Sequence, residues 1–112
     1  MDWSDVVALG AALPEVTEST SYGTPALKVH AKSFCRLRTE SDGGLVIFCS
    51  LEEKEALLAT GDPAYYTVAH YDGHGSILVD LAVADPDEVR ELLTDAWRTK
   101  APVRVRKAFD AG

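Results

Sequence analysis

The segment "ALKVHAKSFCRLRTESDGGLVIFCS", residues 26–50, decides the fold. It holds three pieces of strand length, "ALKVH", "KSFCRLRT" and "GLVIFCS", each bounded by turn-forming residues. The last two are joined by "ESDGG" (residues 40–44), whose glycines suit a short hairpin loop. Successive side chains of a strand point to opposite faces. Leu27 and Val29 therefore point one way, and Lys28 and His30 the other. In the next strand Cys35 and Leu37 share a face, while Arg36 and Arg38 are expected on the opposite one together with Phe34. A sheet with helices packed on one side would bury the first set and display the second.

Outward from this segment, the opening residues read as a helix. Asp2 or Ser4 can cap it, Val6, Leu9 and Leu13 recur on one face, and Pro14 stops it. The turn-rich "TESTSYGTP" follows, with room for one further short strand near Thr17 to Tyr22. "SLEEKEALLATGD" is a second helix, with Ser50 and Glu53 at capping-box spacing and Gly61 and Pro63 closing it. Strands near "YYTVA" and "SILVDLA" are separated by the polar loop "HYDGHG". In "DPDEVRELLTDAWRTKAP", Asp85 is the cap, Pro86 takes the first helical position and Glu88 is expected to complete the box. Val89, Leu92, Leu93, Ala96 and Trp97 recur as one buried helical face. Beyond it, "VRVRKAF" alternates as a strand does, and residues 103–112 read either as a strand or as a loosely ordered tail. The result is one domain over residues 1–112, of class α+β. Its order is α-β(3–4)-α-β(2)-α, with an antiparallel sheet and the helices on one side.

A net charge of −7 and a pI near 4.8 argue against general attraction to phosphate backbones. No apolar run approaches the roughly 18 residues that a membrane span needs, and the opening "MDWSDVV" is acidic where a signal peptide would be basic. The expectation is a cytoplasmic protein that does not enter the membrane. Cys35 and Cys49 then read as reduced, small buried hydrophobes, with a redox pair across neighbouring strands as the alternative. The charge is segregated. Ala26–Arg38 contains five basic or potentially basic side chains and no carboxylate, and Ala96–Phe109 is again free of acids. Two readings stand side by side: a strand face and edge kept soluble by charge, or an anion-binding surface.

Enzyme signatures are absent. The chain has no G-x-x-x-x-G-K, G-x-G-x-x-G or G-x-S-x-G motif, and no catalytic residue, metal or cofactor is assigned. "HYDGH" offers His70, Asp72 and His74 as donors, yet it lacks an obvious fourth ligand and reads as a turn. With Tyr71, these residues make a ligand or interaction loop the candidate role. Trp3 and Trp97 are expected in the core.

Several short motifs, in this order and spacing, carry a resemblance. They are Gly23 and Pro25 before a strand, Lys32 and Phe34 in "KSF", Leu37, "HYDG" (70–73), "ILVDL" (77–81) and "AWRTKAP" (96–102). Over nearly its full length the chain resembles the MmcQ/YjbR family of small bacterial proteins. That resemblance implies an α+β fold like that of type III secretion chaperones and a DNA-binding role through β-wings, without enzymatic activity. Asp80 stands where related chains commonly carry a basic residue. The nucleic-acid contacts expected on this basis are Lys28, Lys32, Arg36 and Arg38, assisted by Arg104 and Arg106, with little sequence preference. The alternative is a protein-interaction or chaperone-like module using "HYDGH", Tyr65, Tyr66 and the sheet edge, with a protein partner or a second copy as its target.

Overall fold

Pairing follows the chain through four strands and then steps over one. β1 (Val16–Ser21), β2 (Thr24–Val29), β3 (Lys32–Leu37) and β4 (Leu45–Phe48) are successive neighbours. β6 (Ser76–Val79) lies beside β4, and the short β5 (Tyr65–Tyr66) forms the far edge. Every neighbouring pair is antiparallel. This computed structural model describes residues 1–21, 23–38 and 44–112. The loop expected over 40–44 therefore lies outside the described residues, except for Gly44. The helices are α1 (Trp3–Ala11), α2 (Leu51–Ala59), α3 (Pro86–Lys100) and α4 (Val103–Ala111). The protein is an α+β domain, and the optional early strand is present as β1.

The helix starts follow from side chains that satisfy otherwise unpaired backbone N–H groups. Asp2 accepts from the backbone N–H of Asp5, whose carboxylate accepts from Asp2 in return. Ser50 accepts from Glu53 N–H at 3.1 Å. Asp85 accepts from Asp87 N–H, and Glu88 does not complete the expected box. Its Oε1 instead accepts the Tyr65 hydroxyl at 2.7 Å, tying α3 to the sheet edge.

One face of the sheet carries the main core. Leu27, Val29, Leu45, Ile47, Ile77 and Val79 are buried there with Val6 of α1 and Val89, Leu93 and Trp97 of α3. Trp97 is fully buried, its indole N–H donating to the Pro14 carbonyl at 3.0 Å. Its ring meets Phe109 edge-on at 4.9 Å. That contact corrects the strand reading of "VRVRKAF": Val103–Ala111 is helical. Val105 and Phe109, four residues apart, face the core together, whereas period-2 alternation would have set Val103 and Val105 on one side. Val103 is exposed instead.

β3 breaks simple alternation. Leu27 pairs with Cys35 but Lys28 pairs with Ser33, which leaves Phe34 as an extra residue in the ladder. Phe34 and Cys35 are in consequence both fully buried in the main core, and Phe34 does not share the face of Arg36 and Arg38. Burying a Phe side chain stabilises by about 1.5–3 kcal/mol. One backbone hydrogen bond contributes about 1 kcal/mol net, so the bulge is favourable.

Both cysteines are free thiols. Burial pushes the Cys35 thiol up to about 12. Burial, with Glu53 nearby, pushes Cys49 to about 11.

Two predictions follow from this packing. Trp97→Ala should destabilise the fold by about 3–5 kcal/mol in urea denaturation, as large-to-small aromatic core changes do; a loss below about 1 kcal/mol would show that the ring is not the keystone of the helical layer. A thiol with pKa about 11 is about one part in a thousand thiolate at pH 8. Ellman's reagent should thus react with the native protein far more slowly than with the urea-unfolded chain, and faster as pH rises towards 10. Rapid reaction of native protein at pH 8 contradicts the assigned burial.

Candidate nucleic-acid interface

Strand register places side chains on the sheet's second face, away from the main core. Arg36 is paired with Ala26 and Val46, and Lys28 with Thr17 and Ser33. Thr17, Ser19, Lys28, Ser33 and Arg36 therefore point to one side, and Arg38 follows at the end of β3. Only one carboxylate occurs in β1, β2 and β3, and that is Glu18. Glu18 points to the helical side, where Trp3 Nε1 donates to it at 3.0 Å.

The other half of this face is apolar. Val46 and Leu78 are buried beneath Tyr71, flanked by Tyr66 and Val68. Tyr71 ends a 3-10 turn (Ala69–Tyr71) and is itself only 8% exposed. The strand order makes this possible, because β6 sits beside β4 and brings Leu78 next to Val46. Arg36 Nη2 donates to the Tyr71 hydroxyl. The guanidinium carbons of Arg36 and Arg38 lie 5.8 and 5.7 Å from its ring centroid, within cation–π range. The basic strand and the "HYDGH" loop, far apart in the chain, thus form one site.

The loop is held in place from below. Lys54 of α2 is 4% exposed, and its Nζ donates to the carbonyls of Tyr71 at 2.5 Å and His74 at 3.1 Å. Backbone bonds from His74 to Tyr71 and from Cys49 to Gly75, both 3.0 Å, close the turn. Gly73 has φ +76, and a Cβ at Gly75 would come within 2.9 Å of the Cys49 carbonyl oxygen. Around Tyr71 stand His70, edge-on at 5.2 Å, and His74 at 6.3 Å. Asp72 is exposed, with its Oδ1 accepting from Thr67 at 3.3 Å. No group of three His, Cys, Asp or Glu side chains is arranged to hold a metal among the described residues.

The remaining candidates lie elsewhere. Lys32 opens β3 beyond the bulge, exposed beside the His30–Ala31 turn, where both residues have positive φ. Arg104 stands 3.7 Å from Glu15, which also contacts His30 Nε2 at 2.5 Å. The His30 hydrogen bond, with Arg104 adding to it, holds the Glu15 carboxyl below its usual range. Arg106 donates to the Arg98 carbonyl of α3 at 3.4 Å. Arg104 and Arg106 therefore belong to the helical layer, and the second basic group meets the first at the His30 turn, through the shared Glu15 carboxylate, and not at Lys28, Arg36 and Arg38. Tyr65 is buried in the main core and Tyr66 is half-buried, so neither offers a free aromatic surface. Among the described residues Trp97 and the Tyr71 turn that carries His70 belong to clusters on opposite sides of the sheet, which does not bring Lys32, His70 and Trp97 together. Lys54 is the residue that sequence reasoning missed. Its surroundings, "SLEEKEALL", present it as one cation on an acidic helix.

No helix among the described residues is long and apolar enough to cross a membrane. No solved structure matches the chain. Proteins described as uncharacterised from Mycobacterium bovis and Mycobacterium tuberculosis are each 27% identical to it over 121 residues, covering 96% of this chain and 94% of theirs. The family model described as YjbR matches residues 11–99. That span holds the whole sheet, the Tyr71 turn and nearly all of α3, and by it the chain belongs to the YjbR family.

Proposed function

We propose that this is a non-enzymatic binding protein that takes a nucleic-acid phosphate backbone against the β1–β3 half of the second sheet face. The observation that carries the reading is the shared side of Lys28, Arg36 and Arg38, set among the hydroxyls of Thr17, Ser19 and Ser33. The one carboxylate of those three strands points the other way. Guanidinium groups are well matched to phosphate oxygens, and hydroxyls add sequence-independent contacts. Arg36 and Arg38 lie against Tyr71 before any ligand arrives, so little side-chain freedom remains to be lost on binding. Lys32, Arg104 and Arg106 are not part of this surface.

A second reading has one specific observation behind it. β1 pairs only with β2 among the described residues, and Thr17–Thr20 are exposed along that edge. An extended segment of another chain could add there as a further strand.

Three phosphate contacts give a slope of about −3 in a plot of log affinity against log salt. Fluorescence anisotropy with a labelled duplex at low salt should show micromolar or weaker binding with that slope. Lys28→Ala combined with Arg38→Ala should reduce both affinity and slope. Arg104→Ala combined with Arg106→Ala should leave both unchanged. Absence of binding at low salt, or loss through the second pair alone, defeats the reading. A stoichiometric protein partner lost on disrupting β1 would favour strand addition instead.

A further inference from the structure

We infer that His70 and His74 form a clamp for one unstacked base, which makes single-stranded nucleic acid the ligand of this face. The inference rests on the backbone reading above and narrows it. The two imidazoles are nearly parallel, 19° apart, with centroids 6.3 Å from one another. A planar ring held between two others needs about twice the ~3.5 Å carbon contact distance. The gap is less than an ångström short of that, and both histidines are exposed. Tyr71 stands edge-on to His70 between them and the sheet, and so supplies a floor.

Three features favour a ring carrying phosphate over a free aromatic molecule. Arg36 and Arg38 lie within 5.8 Å of the centroid of the same Tyr71 ring that His70 and His74 meet, so cations stand next to the clamp. The backbone that carries the clamp is also fixed in advance, leaving the exposed rings to open by less than an ångström. Lys54 holds the carbonyls of Tyr71 and His74, and the backbone bonds of residues 68–76 lock the turn on both sides of His74. Preorganisation of this kind favours binding, because little ordering is left to do. Finally, Asp72 projects at the exposed tip and repels phosphate there, which directs the backbone towards β3.

A duplex buries both faces of each base in its own stack, and only a splayed base offers a face to a protein ring. Base–aromatic stacking also tolerates any sequence.

The test compares a labelled oligothymidine with the same strand in duplex and with an abasic oligomer of equal length, by anisotropy at low salt. The single strand should bind about tenfold more tightly than either competitor, a typical effect of stacking one base. His74→Ala should remove about that factor for the single strand alone, and His74→Phe should keep it. Lys54→Met touches no ligand, yet should weaken the single strand by releasing the turn. Equal binding of all three oligomers, with no effect of His74→Ala, overturns the clamp and leaves the backbone reading standing. No binding of any oligomer overturns both. Circular dichroism of each variant shows whether it has folded, and the exposed position of His74 keeps that test independent of stability.

Discussion

The second face of the sheet depends on one side chain, the Lys54 amine under the carbonyls of Tyr71 and His74. A buried lysine without hydrogen-bonding partners would be strongly destabilising. Here two backbone oxygens accept from it, and they belong to the segment whose position matters most. With that segment seated, Tyr71 covers Val46 and Leu78, and its hydroxyl and ring receive Arg36 and Arg38. Take the amine away and each carbonyl keeps its backbone donor, His74 N–H at 3.0 Å and Ser76 N–H at 2.8 Å, but loses a charged one, a hydrogen bond worth about 1.5–3 kcal/mol. The small apolar patch would then lose its cover, and the arginines the ring on which they rest. The main core, built on Trp97 and the opposite face, does not share this dependence.

Charge on this molecule is best understood by face rather than by total. A net charge of −7 repels a polyanion at a distance. At physiological ionic strength, however, fields fade over about 8 Å. The acids at the starts of α2 and α3 therefore act weakly on a ligand pressed against β2 and β3. Asp80 is engaged locally, its Oδ1 accepting from Ala82 N–H at 3.0 Å just after β6. Its carboxylate, with its carbonyl accepting from Val83 N–H at 3.2 Å, closes the turn that follows. The basic stretch from Ala26 to Arg38 excludes carboxylates for a related reason. Lys28, Ser33 and Arg36 point to a face where Tyr71 already accepts from Arg36, and an acid there would compete for the same guanidinium group.

How far the sequence reveals this arrangement depends on the range of the physics involved. Caps and helix ends are local, and Asp2, Ser50 and Asp85 could be recognised from a few neighbours. Strand existence is nearly as local, and β2, β3 and β4 were legible as pieces of strand length bounded by turn-forming residues. The bulge at Phe34 was not, because a bulge is a property of two strands and the register between them. "VRVRKAF" misled for the opposite reason: four residues of alternation are too few to separate period 2 from period 3.6. Phe109, four residues beyond Val105, was the better signal. The site was legible in its parts and hidden in its assembly. Arg36, Arg38, Tyr71 and the two histidines could each be named, but their meeting requires β6 to insert beside β4. Lys54 was illegible because nothing nearby in the chain distinguishes a buried lysine from an exposed one.

An acidic protein with few phosphate contacts is poorly served by charge alone as a source of affinity. Each ionic contact adds a counterion-release contribution that shrinks as salt rises, and three of them leave little binding at cellular ionic strength. Stacking behaves differently. It depends on apolar contact and ring geometry, so salt leaves it largely intact. On the proposed reading, a site that joins two preset guanidinium groups to a pair of parallel imidazoles would draw on both sources, the first placing the backbone and the second retaining it. If the face binds as proposed, the −7 charge would discourage unspecific adhesion of any polyanion, and preference for a single strand would rest on its free base faces. On this view the acidic total and the cationic face are complementary, and the Tyr71 turn is where they meet.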